Sequence, residues 1–312
     1  MRFLEYSNAR SILTELGRIN ILLLLLLVHV VAWAGSLVGD TVVDVSAALQ
    51  GRVGCCSGPV NRPPAVLFTA EVGHGRVLDT YLTPITYTGW HTSLGFEHTQ
   101  ATGFSPDRWV RQLSLALSFD HVKNPVGNHS LQHLRASGRW ALMHRWTGVL
   151  TPRLSLMAGG MTWLHGGAIY NGAGSNNVVS VKAHWTLGLQ GMAQYSTRLG
   201  RVPLTVRYQA ALPVAGVWFS PDYDESFYEI YVGNRKHLVQ PGWWGNRFDL
   251  DHQLTADFRL GGTILRVGYH GTIERSWARH LNTHITTHGI IIGLGGEFLS
   301  LPSRPSRIAT TY

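Results

Sequence analysis

From about residue 65 the hydrophobic period along the chain is two, not the 3.6 of a helix. Over 109–120, Trp109, Leu113, Leu115, Leu117 and Phe119 share one face, while Gln112, Ser114, Ala116, Ser118 and Asp120 share the other. Only Arg111 breaks the apolar face. Over 247–260, Phe248, Leu250, Leu254, Ala256 and Phe258 alternate with Asp249, Asp251, Gln253, Thr255 and Asp257, and 179–197 repeats the pattern. Similar segments lie near 65–77, 85–99, 135–147, 152–165, 202–212, 263–274 and 284–298, which makes ten. Successive strand side chains point to opposite faces, so each segment predicts a strand with one apolar face.

A soluble sandwich also alternates, and three features separate it from a membrane barrel. The segments run about 11 to 19 residues, against ~5–6 for an average soluble strand and ~9–11 for one that crosses a bilayer. Connections alternate between tight turns, at 148–151, 200–201 and 261–262, and longer ones, at 121–134, 166–177, 213–246 and 275–283. Trp90, Trp109, Trp140, Trp146, Phe248 and Phe298 fall toward segment ends, where interfacial girdles sit. The predicted fold is all-β: a closed antiparallel transmembrane barrel of about ten strands (ten to twelve), with long extracellular loops, short periplasmic turns and both termini in the periplasm. Register supports it. A two-residue turn at Gly261-Gly262 sets Phe258 opposite Leu265 and Leu254 opposite Tyr269 on one face, and Asp257 opposite Arg266 on the other. A slip by one residue would undo that sorting.

The amino end sets the compartment. Arg2, Arg10 and Arg18 precede an apolar run, Ile21 to Val31, which ends in Ala32-Trp33-Ala34. That order of basic, apolar and small-residue parts predicts a signal peptide over 1–34, too short in its apolar part to span a bilayer. Residues 35–63 then form a periplasmic or plugging segment, 64–298 the barrel, and 299–312 a flexible tail. Cleavage removes three Arg and two Glu, lowering the net charge from +8 to +7. The basic residues are thinly spread, with only three Lys, so nucleic acid is set aside as a partner. The two cysteines, Cys55 and Cys56, are adjacent and form no disulfide framework.

Three groups offer chemistry. His280, His284 and His288 are four apart, which on a strand means about 13 Å per step, too far for two imidazoles to share one ion. Asp251 and His252 fall on opposite faces of a pleat. Neither makes a metal or catalytic site, and no cofactor is expected. The third group is the inward-facing charges, among them Glu97, Arg139, Arg145, Lys182, Arg207, Asp257 and Arg266. In a lumen only ten strands round they predict a charge network that fills the interior. The connection 213–246 holds Trp218, Tyr223, Phe227, Tyr228, Glu229 and Tyr231. It exceeds the ~12–15 residues beyond which a loop is usually functional or disordered, and its aromatics favour function. A face of two rings around a carboxylate suits a sugar or a cation, though rings that merely fill the barrel mouth would read the same way.

Val217-Trp218-Phe219-Ser220-Pro221-Asp222-Tyr223 and the following Ser226-Phe227-Tyr228-Glu229-Ile230-Tyr231-Val232-Gly233-Asn234 resemble the signature of a Bacteroidota family of exported proteins of unknown function. Tyr81-Leu82-Thr83-Pro84 with Tyr87-Thr88-Gly89 is similar to that family's amino-terminal motif. Where the family more often has Gly-Gln before Ser-Tyr-Tyr-Glu, this chain has Asp224-Glu225. The resemblance covers about 65–298 and implies an outer-membrane barrel in a Gram-negative cell, with no activity attached. The expected function is non-enzymatic binding of a ligand or partner through the outer loops. Outer-membrane lipid surrounds the barrel, and the partner would be an outer-membrane or periplasmic protein. The first alternative is a narrow solute channel, the second a barrel hydrolase acting on lipid or peptide.

Overall fold

Each of the ten alternating segments is a strand. The computed structural model describes residues 64–172, 178–222 and 238–297. The strands are β1 (Ala65–Asp79), β2 (Thr83–Ala101), β3 (Trp109–Lys123), β4 (Ser130–Thr147), β5 (Leu154–Asn171), β6 (Val179–Leu199), β7 (Val202–Phe219), β8 (Val239–Trp243), β9 (Arg247–Leu260), β10 (Thr263–Ala278) and β11 (Leu281–Glu297). Successive strands pair antiparallel from β1 to β6 and from β9 to β11, β1 also pairs with β11, β7 pairs with β9, and β6 pairs with β7. The sheet is therefore a closed ring of ten strands, with β8 as a short addition. The β9–β10 register sets Leu260 opposite Thr263, Phe258 opposite Leu265 and Asp257 opposite Arg266, as the Gly261-Gly262 turn predicts. The barrel is one unit over the described parts of Ser57–Ser196 and Val202–Tyr312. Gly200 and Arg201 make the tight turn from β6 to β7, with Gly200 at φ 62°.

The strands run further than alternation predicts, which corrects the expected loops. The β3–β4 connection is 124–129, β5–β6 is 172–178, and β10–β11 is only Arg279 and His280. The cause lies in what faces outward at those ends. Lys123, Gln132 and Arg275 stand beyond the apolar band, so the hydrophobic pattern stops while the hydrogen-bonded ladder continues. The connection 213–246 shrinks from both sides. β7 continues to Phe219, and β8 pairs with it from Ala215 opposite Trp243 to Phe219 opposite Val239. Of the five connections at that rim, only the one between β7 and β8 remains long.

Ala65 lies opposite Glu297, so β1 begins and β11 ends at one rim, here the terminal rim; the opposite rim is the distal one. Outside, Phe68, Val72, Leu94, Leu164, Leu189, Ile290 and Ile292 are each more than half exposed. Such a continuous apolar wall is unlike the surface of a water-soluble barrel. Inside, two apolar clusters sit at different heights. Val110, Met143, Met157, Met161, Trp163 and Met192 pack in the terminal half. Val77, Tyr87, Val122, Leu131, Ile169 and Ile285 pack near the distal strand ends. Tight curvature depends on glycine at some inward positions: a Cβ on Gly268 would lie 2.3 Å from the Leu254 carbonyl oxygen, and one on Gly73 2.0 Å from that of His288.

The expected signal peptide (1–34), the 35–63 segment with Cys55 and Cys56, and the 299–312 tail lie outside the described residues.

Candidate functional site

The pleat turns every carboxylate of the described strands into the lumen: Glu71, Asp79, Glu97, Asp120, Asp249, Asp251, Asp257, Glu274 and Glu297. An unpaired charge in such an enclosed place is costly, so each needs a cationic or hydrogen-bonding partner. The partners come from strands across the barrel as well as from neighbours.

Toward the terminal rim, Arg207 puts both amino groups on Glu97, at 2.6 and 2.8 Å. Arg266 forks onto Asp257 through Nε at 2.6 Å and Nη2 at 2.7 Å, and its Nη1 reaches Glu97 at 3.2 Å. Paired forks of this kind are the stronger class of ion pair. Arg259 meets Glu297 at 2.9 Å. At mid-height, Arg139 meets Asp251 at 3.0 Å and stands over the Trp163 ring at 5.5 Å. His270 lies between Glu71, 2.7 Å, and Asp251, 3.3 Å. Asp120 takes His91 on one oxygen at 2.5 Å and His133 on the other at 2.9 Å. Nearer the distal rim, Arg135 donates to Glu274 at 2.6 Å, Arg247 to Asp249 at 2.7 Å, and Lys182 meets Asp79 at 2.9 Å. These pairs draw on nine of the strands, all but β5 and β8.

Of the lumen residues expected from sequence, Glu97, Arg207, Asp257 and Arg266 meet in one cluster. Arg139 stands apart from it at mid-height, and Lys182 near the distal rim. Arg145 joins neither and donates to Ser155 at 3.0 Å. Arg135, Arg247 and Asp79 escaped the sequence reading because each lies at or beyond an expected strand end. Of the five inward histidines, His184 and His270 fall on the polar faces of their alternating segments, whereas His91, His133 and His165 escaped it because they carry no formal charge at neutral pH. Their parity on the strands was the available signal.

Trp218 lies on β7, buried, with its ring 5.9 Å from the Arg247 guanidinium. Together with Lys182, His184, Ser276 and Thr283 it lines a small cavity of about 10 Å³ beside the distal part of β7. Tyr223, Phe227, Tyr228, Glu229 and Tyr231 lie outside the described residues. Of the three histidines spaced by four, His280 is in the β10–β11 turn, and His284 and His288 face outward on β11. Asp251 faces the lumen, whereas His252 faces out beside Tyr269, ring centroids 6.0 Å apart.

A central cavity of about 90 Å³ is lined by Glu71, Ser93, Glu97, Ser137, Arg139, Asp251, Arg266 and His270. That holds a few waters and falls well short of the ~300–1,000 Å³ of a small-molecule pocket. Of its serines, Ser93 accepts from Ser118 at 3.2 Å, a pairing that does not activate either hydroxyl as a nucleophile.

Among solved structures, the chain is similar to the transport unit of the autotransporter AIDA-I from Escherichia coli, with 8% identity, 81% of this chain and 96% of that one covered, and a TM-score of 0.38. It is also similar to the beta domain of the Bordetella autotransporter BrkA, at 11% identity, 76% and 100% coverage and a TM-score of 0.39. A Pseudomonas aeruginosa FadL homologue matches at 8% identity, 76% and 91% coverage and a TM-score of 0.28. No curated protein matches the chain. The model of a family described as "Protein of unknown function (DUF3316)" matches residues 24–305, nine-tenths of the length, and the chain therefore belongs to the DUF3316 family.

Proposed function

We propose that this chain is an outer-membrane barrel of a Gram-negative bacterium, of the Bacteroidota kind its motifs resemble, whose lumen is blocked. In this reading it acts by binding a ligand or partner protein at its distal rim. The observation that carries the reading is the filled interior: paired charges from the terminal rim to the distal rim, two apolar clusters among them, and cavities of water size. The apolar outer wall supports insertion in a bilayer, and the basic-apolar-small amino end supports export. A barrel that passes nothing through its centre is left with its rims, and the β7–β8 connection is the one large element there. Trp218 and the Arg279–Asp222 ion pair at 2.9 Å fix the base of that connection to the barrel wall.

Single replacement of Tyr228, Glu229 and Tyr231 by alanine tests the role of the connection. Binding predicts normal folding with loss of whatever ligand or partner co-purifies from native membranes. Graded loss of thermal stability with full retention of that partner would assign these side chains to packing instead.

A narrow channel is the second reading, and one observation favours it. Glu97 and Arg266 line both the central cavity and another of about 50 Å³ at the terminal rim, so a swing of Arg266 would join the two.

A further inference from the structure

The two apolar clusters inside the barrel are built from different side chains. The distal one uses valine, leucine, isoleucine and tyrosine. The terminal one holds Met143, Met157, Met161 and Met192, which are all the methionines of the chain apart from Met1. Branched hydrocarbon fills a lumen as well or better, as the distal cluster does, so packing alone does not account for this concentration of thioethers.

Register brings the four together on three adjacent strands. Met157 on β5 is directly opposite Met192 on β6. Met143 on β4 sits midway between Arg145 and Ala141, the β4 partners of Met157 and Met161. All four are buried. Hydrogen-bond donors stand around their sulfurs. Gln194 donates its amide to Met192 Sδ at 3.1 Å, and Gln190 donates to Met143 Sδ at 3.6 Å. The Oε1 atoms of both glutamines have no partner, so each amide is held by what its nitrogen meets. Arg145, opposite Met157, gives Nε to Ser155 at 3.0 Å and leaves Nη1 unpartnered. Among the described residues it is the one inward strand arginine without a carboxylate. A thioether is only a weak acceptor, so these donors meet atoms that return little.

We propose that Met143, Met157, Met161 and Met192 form a site of oxidation to the sulfoxide by hydrogen peroxide that enters from the terminal rim. In each step the sulfur attacks one peroxide oxygen. An S–O bond forms as the O–O bond breaks, and the other oxygen departs as water with both protons. Sulfur loses two electrons and the peroxide gains them. The product is polar, and its oxygen supplies the acceptor that Gln194, Gln190 and Arg145 lack in the thioether state. A guanidinium beside the cluster suits that oxygen and disfavours the other partner of thioethers, a soft metal cation. The route in is the cavity of about 50 Å³ at the terminal rim, whose lining includes Gln194, the residue bonded to Met192. That space admits a molecule of two oxygen atoms. Oxidation thus turns the terminal cluster from apolar to polar. The site stands on lumen contacts and goes beyond the binding role proposed above.

The test treats the full-length mature protein, refolded in micelles, with hydrogen peroxide, and maps added oxygen by peptide mass spectrometry. Met192 is expected to react within about tenfold of its rate in the unfolded chain, against about a thousandfold slowing for a side chain reached only by global unfolding. Met192 should take oxygen before Met161, which lies further from the terminal rim. With all four oxidised, the wild type should keep its heat-modifiable folded band. Gln194→Leu and Arg145→Leu should fold before treatment and lose that band after it. Replacing Arg145 strands no carboxylate; if that variant does not fold, Gln194→Leu carries the comparison alone. Reaction of Met192 only at the unfolding-limited rate would overturn the site, and Met161 reacting first would overturn the route. Loss of the wild-type folded band on oxidation, or equal tolerance in the variants, would show that the donors do not receive sulfoxide oxygens and would overturn the assignment.

Discussion

Arg266 faces Asp257 across the β9–β10 hairpin and holds both its carboxylate oxygens, while its third nitrogen crosses the lumen to Glu97. A local turn and a contact between residues 169 apart in the chain are thus tied through one guanidinium. Breaking such a buried pair by removing one partner costs about 3–5 kcal/mol, less where water reaches the gap. Asp257→Ala should therefore lower the unfolding midpoint strongly in the presence of Arg266 and weakly in Arg266→Ala. Additive effects in that double-mutant cycle, measured by denaturant titration in micelles, would remove the coupling.

Glu97 is the shared acceptor of Arg207 and Arg266, so its loss leaves two cations facing each other in the terminal half of the lumen. Glu97→Gln is expected to destabilise more than Asp257→Asn, because the latter leaves Arg266 still bonded to Glu97. The same titration, run on both variants, checks the order.

Gly268 and Gly160 give a paired test of strand curvature. A Cβ at Gly268 meets a backbone oxygen at 2.3 Å, whereas one at Gly160 has nothing within 4 Å. Gly268→Ala should abolish the heat-modifiable folded band on refolding, and Gly160→Ala should leave it intact.

The β10–β11 turn holds two non-glycine residues in the left-handed region, Arg279 at φ 47° and His280 at φ 68°. Left-handed backbone costs an L-residue about 1–2 kcal/mol. His280 is exposed, so His280→Gly should raise stability by roughly 0.5–1 kcal/mol once the added freedom of the unfolded chain is subtracted. A higher thermal midpoint in micelles is the expected reading.

These contacts show which parts of the structure could be read from the chain. Parity along each strand sorts inside from outside wherever apolar and polar residues alternate, and the Gly261-Gly262 turn then fixes a register residue by residue. Alternation fails at the distal ends because the faces exchange character there: Arg76, Lys123 and Gln132 stand outside, while Val77, Val122, Leu131 and Ile169 are buried inside. The ladder itself continues, and with it the inward positions of Asp79, Arg135 and Arg247 that sequence reading passed over. Pro213 has the same effect on β7, since the pairing shifts between Ala211 opposite Asp251 and Ala215 opposite Trp243. Which charge meets which across the lumen depends on closure of the ring. Glu97 with Arg207, or Arg135 with Glu274, has no local signature.

The blocked lumen is the claim on which the proposed function turns, and planar-bilayer conductance of the refolded mature protein measures it directly. The paired charges and the two apolar clusters predict a flat trace at moderate voltage, with at most rare, brief openings. A steady, ohmic conductance in the wild type, with selectivity that changes in Glu97→Gln or Arg266→Gln, would contradict the blocked barrel and make the narrow channel the correct reading.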